Sequence, residues 1–180
     1  PAAYRELGRA SEFRVSLPAG ARASALEEFF GRDPEGRTER VRGSLLTQAA
    51  LLEGAPARIE LELGPQEARV RLVAAKKLSR SAWRAAHERV ARWLAFESDP
   101  EAFERRAPRA KEIARLVRGR EGLRLPRSGS IFEGLVWVVV GAQVNVSFAA
   151  QCRAALIELA GTKMGEFVAH PTPAQVAALD

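Results

Sequence analysis

Two hydrophobic rhythms divide the chain. Alternation with a period of two dominates the first 75 positions, and helical spacing dominates the rest. Phe13, Val15 and Leu17 alternate with Glu12, Arg14 and Ser16, which predicts a half-buried strand. Ala25 to Phe30 predicts a short helix, closed by Gly31 and the turn Asp33-Pro34-Glu35-Gly36. A strand is expected over Arg40 to Leu52, either continuous or broken into two by the run Thr47 to Ala50. The clearest hairpin follows. Ile59, Leu61 and Leu63 face one way, and Arg58, Glu60 and Glu62 the other. After the turn Gly64-Pro65-Gln66, Ala68, Val70 and Leu72 alternate with Glu67, Arg69 and Arg71. One antiparallel sheet over residues 12–75 is expected, with Glu60 and Glu62 opposite Arg69 and Arg71 on a charge-balanced solvent face.

Residues 80–180 read as helices. Trp83, Ala86, Val90 and Leu94 recur on one helical face, with Arg84, Glu88 and Arg92 opposite. Asp99 as N-cap with Pro100 at the first helical position starts a second helix, which Pro108 breaks, and a third runs from about Ala110 to Val117. Gly122 to Pro126 is an extended connector. Ser130 and Glu133 form a capping box that opens the most apolar helix, running past Trp137 and Val140 to Gly141 and expected to be buried on most sides. Asn145 or Ser147 caps the next helix, whose stripe is Phe148, Cys152, Ala155, Leu156 and Leu159 and whose end is Gly161. Thr172 and Pro173 begin another. The order, sheet then helices, is an α+β fold. The division is residues 1–95 for the sheet module, 96–127 for linking helices and connector, and 128–180 for the first helices of a second, all-α domain. A start at Pro1 and a last helix with no closing signal before Asp180 suggest a piece of a longer protein.

Composition narrows the classes. With 180 residues, 47% hydrophobic and 28% charged, the chain is an ordinary globular mixture and not a disordered tail. Its longest uncharged apolar run, Gly134 to Val144, is about half a membrane span. Cys152 is the single cysteine, which fits a reducing compartment and excludes CxxC metal sites. The net charge is +6, and residues 76–127 carry 15 basic against 7 acidic side chains. Arginine forks match phosphate geometry, so this excess reads either as a nucleic-acid surface or as solvated helix faces in an arginine-rich composition.

Catalytic constellations are scarce. His87 reads as a partly exposed surface histidine, His170 as a loop histidine without a partner, and Cys152 as a packed thiol. No metal site of ordinary spacing, no P-loop and no isolated carboxylate in an apolar setting is apparent. The segment Gly141-Ala142-Gln143-Val144-Asn145-Val146-Ser147 stands out. It is a short break between two strongly apolar helices, either a tight helix–helix turn or a rigid platform that projects Gln143.

Phe132 to Ala150, FEGLVWVVVGAQVNVSFAA, resembles the segment FE…V…I-x-G-Q-x-V-S…AA of the DNA-3-methyladenine glycosylase II family, within the helix-hairpin-helix base-excision glycosylases. GLRLP at 122–126, Arg92-Trp93-Leu94 followed by Asp99-Pro100, and Pro171-Thr172-Pro173 followed by Leu179-Asp180 are similar too. The likeness is specific over about residues 90–180 and topological over 1–89. It implies a TATA-binding-protein-like antiparallel sheet domain, then the start of an all-α glycosylase domain. It implies a hydrolase of base-excision repair that flips alkylated bases of the 3-methyladenine type out of duplex DNA and cleaves their N-glycosidic bond. The inserting wedge would be Gln143, in a DNA-binding loop with Val144 and Asn145, and the base-pocket aromatic would be Phe29, with Phe30 as the alternative. Departures are Gln143, where some relatives carry Leu; Ala142, where Gln is more frequent; and Asn145, where Ser is usual. The hairpin and the catalytic Asp would lie beyond Asp180, so no catalytic residue is expected here and the 180 residues alone are expected to be inactive. The family needs no cofactor and no metal. Its partner is double-stranded DNA with alkylated bases, not a membrane, and it acts as a monomer in the bacterial cytoplasm, at the nucleoid. The alternatives left by the residues themselves are a non-catalytic nucleic-acid-binding module and a protein-interaction domain.

Overall fold

The computed structural model describes residues 4–7, 10–17, 29–30, 36–98, 100–120 and 123–179. The alternating segments assemble into one antiparallel sheet of six strands: β1 (Tyr4–Leu7), β2 (Ala10–Ser16), β3 (Glu39–Arg42), β4 (Leu45–Leu52), β5 (Ala55–Leu63) and β6 (Glu67–Ala74). Their order is β1-β2-β6-β5-β4-β3. Ile59, Leu61, Leu63, Val70 and Leu72 are all buried, as the alternation requires. On the opposite face Glu60 sits across from Arg71, and Glu62 across from Arg69. Their charged groups approach to 3.6 and 4.0 Å, the first pair half-buried at Glu60 and the second exposed, each contributing about 1 kcal/mol or less.

The expected long strand is broken, but at Gly43-Ser44 and not within Thr47 to Ala50. Gly43 sits at φ +56°, a left-handed turn that glycine adopts without steric cost. The run Thr47 to Ala50 is instead the middle of β4, where Ala49 and Ala50 are buried on opposite faces. Of the expected helix at Ala25–Phe30 only Phe29 and Phe30 are described, and both are helical. Asp33 to Glu35 lie outside the described residues.

Helix α1 (Arg80–Trp93) closes the inner face of the sheet with Ala82, Ala86, Val90 and Trp93. Ser79 caps it by accepting from the Ala82 amide. His87 is partly exposed, as expected, and its ring stacks on Phe13 at 3.7 Å. A short arm follows, α2 (Glu101–Arg106), a 3-10 turn at Ala107–Arg109, and α3 (Lys111–Val117). Pro100, not Asp99, holds the N-cap position of α2, and its carbonyl accepts from Glu104; Asp99 itself is not among the described residues. Beyond the extended connector come α4 (Ile131–Val140), α5 (Val146–Ala160), a hairpin β7 (Thr162–Met164) and β8 (Phe167–Ala169), and α6 (Pro173–Ala177). Thr172 and Gln175 complete a reciprocal capping box on α6.

Three expectations change in this half. The hairpin β7–β8 lies in a region read as wholly helical, and it covers the outer face of β4, where Ala49 packs on Phe167 and Ala169. Helix α4 is not buried on most sides, since it buries Glu133 and Val136 while Ile131, Leu135, Val138 and Val139 are exposed. In α5 the buried face is Ala149, Ala150, Arg153, Ala154 and Ile157, whereas Phe148 and Leu159 of the expected stripe point outward. The reason is common to both helices. Each turns its one deeply buried charged residue toward the sheet, so the apolar stripe faces away, uncovered by any described residue.

The fold predicts its own weakest substitution. Ile59 is fully buried between α1 and the neighbouring strands. Ile59→Ala is expected to cost about 2–5 kcal/mol in denaturant titrations, while Arg14→Ala on the outer face changes stability by about 0.5 kcal/mol or less.

Candidate nucleic-acid interface

The site rests on a chain of buried polar groups. Arg89 projects from the apolar face of α1 and donates to Glu133 of α4, with Nη2 at 2.6 Å from Oε1 and Nη1 at 3.3 Å from Oε2. The same Nη1 donates to Gln48 Oε1 on β4 at 2.7 Å. Gln48 Nε2 donates to Glu39 of β3 at 2.8 Å. Arg153 of α5 then donates to the Glu39 carboxylate from 3.1 to 3.2 Å. Two arginines and two carboxylates thus alternate around one amide, all nine-tenths buried or more. Burial alone would raise the pKa of Glu133, but the Arg89 charge and its hydrogen bonds outweigh it, so the carboxyl is held below its usual range.

Glu39 and Glu133 are buried, but each is paired with an arginine, so neither stands isolated in an apolar setting. The sequence reading needs one correction. The capping box at the start of α4 is half made: Ser130 Oγ accepts from the Glu133 amide at 3.1 Å, but the Glu133 carboxylate turns to Arg89. Gly129 permits the contact, because a Cβ there would fall 1.9 Å from Arg89 Nη1. Beside the chain lies His170, buried rather than looped into solvent. Its Nδ1 donates to the Pro171 carbonyl at 3.0 Å, its ring meets Phe132 edge-on, and its buried Nε2 has no partner among the described residues. Burial pulls its pKa down more strongly than Glu133 raises it.

The network sets α4 and α5 against the sheet edge and leaves a cavity of about 360 Å³ between them. That is the small end of the range for ligand pockets. Phe29, Phe30, Trp137, Val144, Val146 and Ala149 supply its apolar lining, and Glu39 and Ser128 its polar one. The aromatic walls are fixed from behind. Phe30 meets Phe29 and Trp93 edge-on at 5.0 and 5.7 Å, and the Arg153 guanidinium lies 5.1 Å above the Trp137 ring. The arrangement suits a flat heterocycle, which would find ring faces on several sides and a hydrogen-bond acceptor in the carboxylate of Glu39.

The loop between α4 and α5 borders this cavity. Gly141 ends α4 with its amide on the Trp137 carbonyl, and Asn145, not Ser147, caps α5 by accepting from the Phe148 amide at 2.9 Å. Gln143 stands at the tip, exposed, with φ +60°. A left-handed residue that is not glycine persists only where its neighbours hold it. Here both flanking helix ends are capped within two residues. Gly141 and Val144 line the cavity while Gln143 projects from the same loop. The structure therefore brings Val144 and Phe29 onto one pocket, places Gln143 and Asn145 on its rim loop, and adds Trp137, Glu39 and Ser128, which sequence reasoning had not singled out. The buried chain behind the pocket did leave a signal, as polar residues among apolar ones: Gln48 in β4, Arg89 in α1, Glu133 in α4 and Arg153 in α5. Cys152 is a half-buried free thiol on α5. No helix among the described residues is long and apolar enough to cross a membrane.

The sequence matches no protein-family model and no curated protein. Among solved structures, the fold is similar to that of the 3-methyladenine DNA-glycosylase from Archaeoglobus fulgidus, with a TM-score of 0.74 at 17% identity. The match covers 91% of this chain and 57% of that one. The likeness is one of fold: the chain has the α+β architecture of a DNA glycosylase, over little more than half the length of that protein.

The buried chain makes two testable statements. Arg89→Met is expected to destabilise the protein by about 3–5 kcal/mol by stranding Glu133, and Glu133→Leu added to it to recover most of the loss; a denaturant double-mutant cycle measures both. The folded pKa of His170 lies below its ordinary 6.5, so the unfolded state takes up the proton first. Stability is complete above 6.5, falls as the pH drops through the folded value, and loses part of that slope in His170→Gln, followed by melting temperature between pH 7.5 and 5.

Proposed function

We propose that the chain is the N-terminal part of a DNA glycosylase of base-excision repair that flips an alkylated base, of the 3-methyladenine type, out of double-stranded DNA and hydrolyses its N-glycosidic bond. The observation that carries this reading is the sharing of one loop by two features. The segment from Gly141 to Val144 both lines the aromatic cavity and holds an exposed Gln143 at a fixed tip. A base leaving the stack at the tip then has a pocket next to the gap it leaves.

Each part has a role that follows from its chemistry. Gln143 enters the duplex and fills the vacated space, and its amide bonds the widowed partner base, offsetting an unstacking cost of a few kcal/mol. Phe29, Phe30 and Trp137 stack on the flipped base, and an electron-poor alkylated ring gains most from their π faces. Glu39 is committed to Arg153 and Gln48, so it accepts a hydrogen bond from the base without acting as a proton-transfer base. The carboxylate that stabilises the oxocarbenium-like transition state and activates water comes from chain beyond Asp180. That same chain packs on the exposed apolar side of α4 and α5, where Ile131, Leu135, Val138 and Val139 stand ready to be covered. In this division residues 1–95 are the sheet module, 96–127 link, and 128–180 open the helical domain. The protein works as a monomer, without metal or cofactor, in the bacterial cytoplasm.

Single-turnover excision from a duplex carrying one alkylated adenine tests the reading, in the longer protein. Gln143→Ala is expected to slow excision tenfold or more, about 1.4 kcal/mol or above, with folding untouched. Gln143→Leu retains much of the rate, because filling the gap matters more than bonding the widowed base. The 180-residue chain alone releases no base. An unchanged rate in Gln143→Ala removes the wedge role. Duplex binding by the longer protein without excision turns the reading into that of a non-catalytic nucleic-acid-binding module.

A further inference from the structure

The excess positive charge of the middle third is not spread evenly over the surface. Most arginines of the sheet and of α1 are matched to a carboxylate. Arg14 meets Glu67 at 2.8 Å, Arg58 meets Glu60 at 2.8 Å and Arg84 meets Glu88 at 3.8 Å, and in the connector Arg127 meets Glu97 at 2.5 Å. Others are spent on the backbone: Arg92 donates to the Gly129 carbonyl, and Arg124 to those of Ala95 and Ser98. Apart from single positions such as Lys76 and Arg80, the unmatched charge gathers on the arm formed by α2, the 3-10 turn and α3. Arg106, Arg109, Lys111, Arg115 and Arg118 are all exposed there, with no carboxylate, carbonyl or ring partner among the described residues.

Three of the five share a face. Lys111, Arg115 and Arg118 lie at i, i+4 and i+7 along α3 and its C-cap, while Glu112 points to another side. Like charges at this spacing repel and destabilise an isolated helix. The arm has little packing to set against that repulsion, since Ala107 is the one buried residue in its three helical segments. An exposed stripe of like charge on a thinly packed arm, in a molecule that pairs most of its other arginines, calls for an external polyanion.

We propose that the α2–α3 arm is a sequence-independent contact for the phosphate backbone of duplex DNA, separate from the wedge loop. Lys111, Arg115 and Arg118 each engage a phosphate, and Arg106 and Arg109 extend the contact along the strand. This rests on the glycosylase reading for its ligand and adds to it a second point of attachment, one that holds undamaged duplex while the loop at Gln143 samples bases. The Arg forks suit phosphate oxygens, and release of condensed counterions supplies the driving force.

The test is the salt dependence of binding of a fluorescein-labelled undamaged duplex to the 180-residue chain, read by anisotropy. Each phosphate contact contributes about 0.9 to the log–log slope, so Lys111→Ala/Arg115→Ala/Arg118→Ala is expected to lower its magnitude by about 2 to 3. A charge-matched control, Arg14→Ala/Arg69→Ala/Arg84→Ala, removes the same net charge from carboxylate-paired sites and is expected to leave the slope nearly unchanged. Thermal melting of both triple variants confirms that each is folded. Equal slope changes in the two variants, or none in the arm variant, overturn the proposal. In the longer protein the arm variant is expected to keep its single-turnover excision rate at saturating enzyme, while Gln143→Ala does not. An arm variant without effect in a protein that still excises defeats the arm alone. A chain that binds no duplex at any salt, in a protein that excises nothing, defeats both readings. Binding to vesicles of anionic lipid with none to duplex also overturns the proposal.

Discussion

Everything that positions the site depends on the buried alternation of Glu133, Arg89, Gln48, Glu39 and Arg153. It is the place where five elements of the fold, β3, β4, α1, α4 and α5, are bonded to one another, across sequence separations of 9 to 114 residues. Such a network is weak evidence for stability, because desolvating the charges consumes most of what their pairing returns. Its effect lies in selection. An apolar α4 and α5 could meet the sheet in many registers, whereas two forked guanidiniums and two carboxylates meet in one. The charge balance explains why neither helix turns its greasier side inward.

That choice of face creates the cavity. With Glu133 and Arg153 anchoring α4 and α5 at the sheet edge, the space between them is framed by Trp137, Val144 and Ala149 on one side and by Phe29 and Phe30 on the other. Arg153 serves twice, pairing with Glu39 and lying over Trp137, so the polar chain and the aromatic wall are set by the same side chain. The loop from Gly141 to Asn145 inherits its rigidity from both helix ends. Gln143 can therefore occupy a left-handed conformation that a looser loop would relax.

The same choice leaves the outward sides of α4 and α5 apolar and uncovered by any described residue, while the arm from Glu101 to Arg118 is charged and thinly packed. These are opposite kinds of surface. An apolar helix face is completed by more protein, and an unpaired cationic stripe by a polyanion. The two surfaces coexist on one chain, with a ring-lined pocket between the layers.

Period-two alternation sufficed to read the hairpin from Ala55 to Ala74, the burial of Ile59, Leu61 and Val70, and the pairing of Glu60 with Arg71, because strand registry is local and one face of the sheet must be dry. Helix starts at Ser130 and Thr172 were legible for the same reason: a cap is satisfied by residues three positions away. The break between α4 and α5 was legible from Gly141 and the Asn145 cap, and Phe29 lines the same cavity as Gly141 and Val144. Tertiary structure alone decided the rest. Composition could not show which arginines are paired, because Arg89 finds Glu133 and Gln48 only when the sheet edge and α4 converge. Hydrophobicity could not orient α4 and α5, because an apolar stripe says that a face will be covered and not by what. The hairpin β7–β8 was hidden for a related reason: its strands are three residues each, too short to carry a periodicity, and they exist because Ala49 on β4 offers Phe167 and Ala169 a surface.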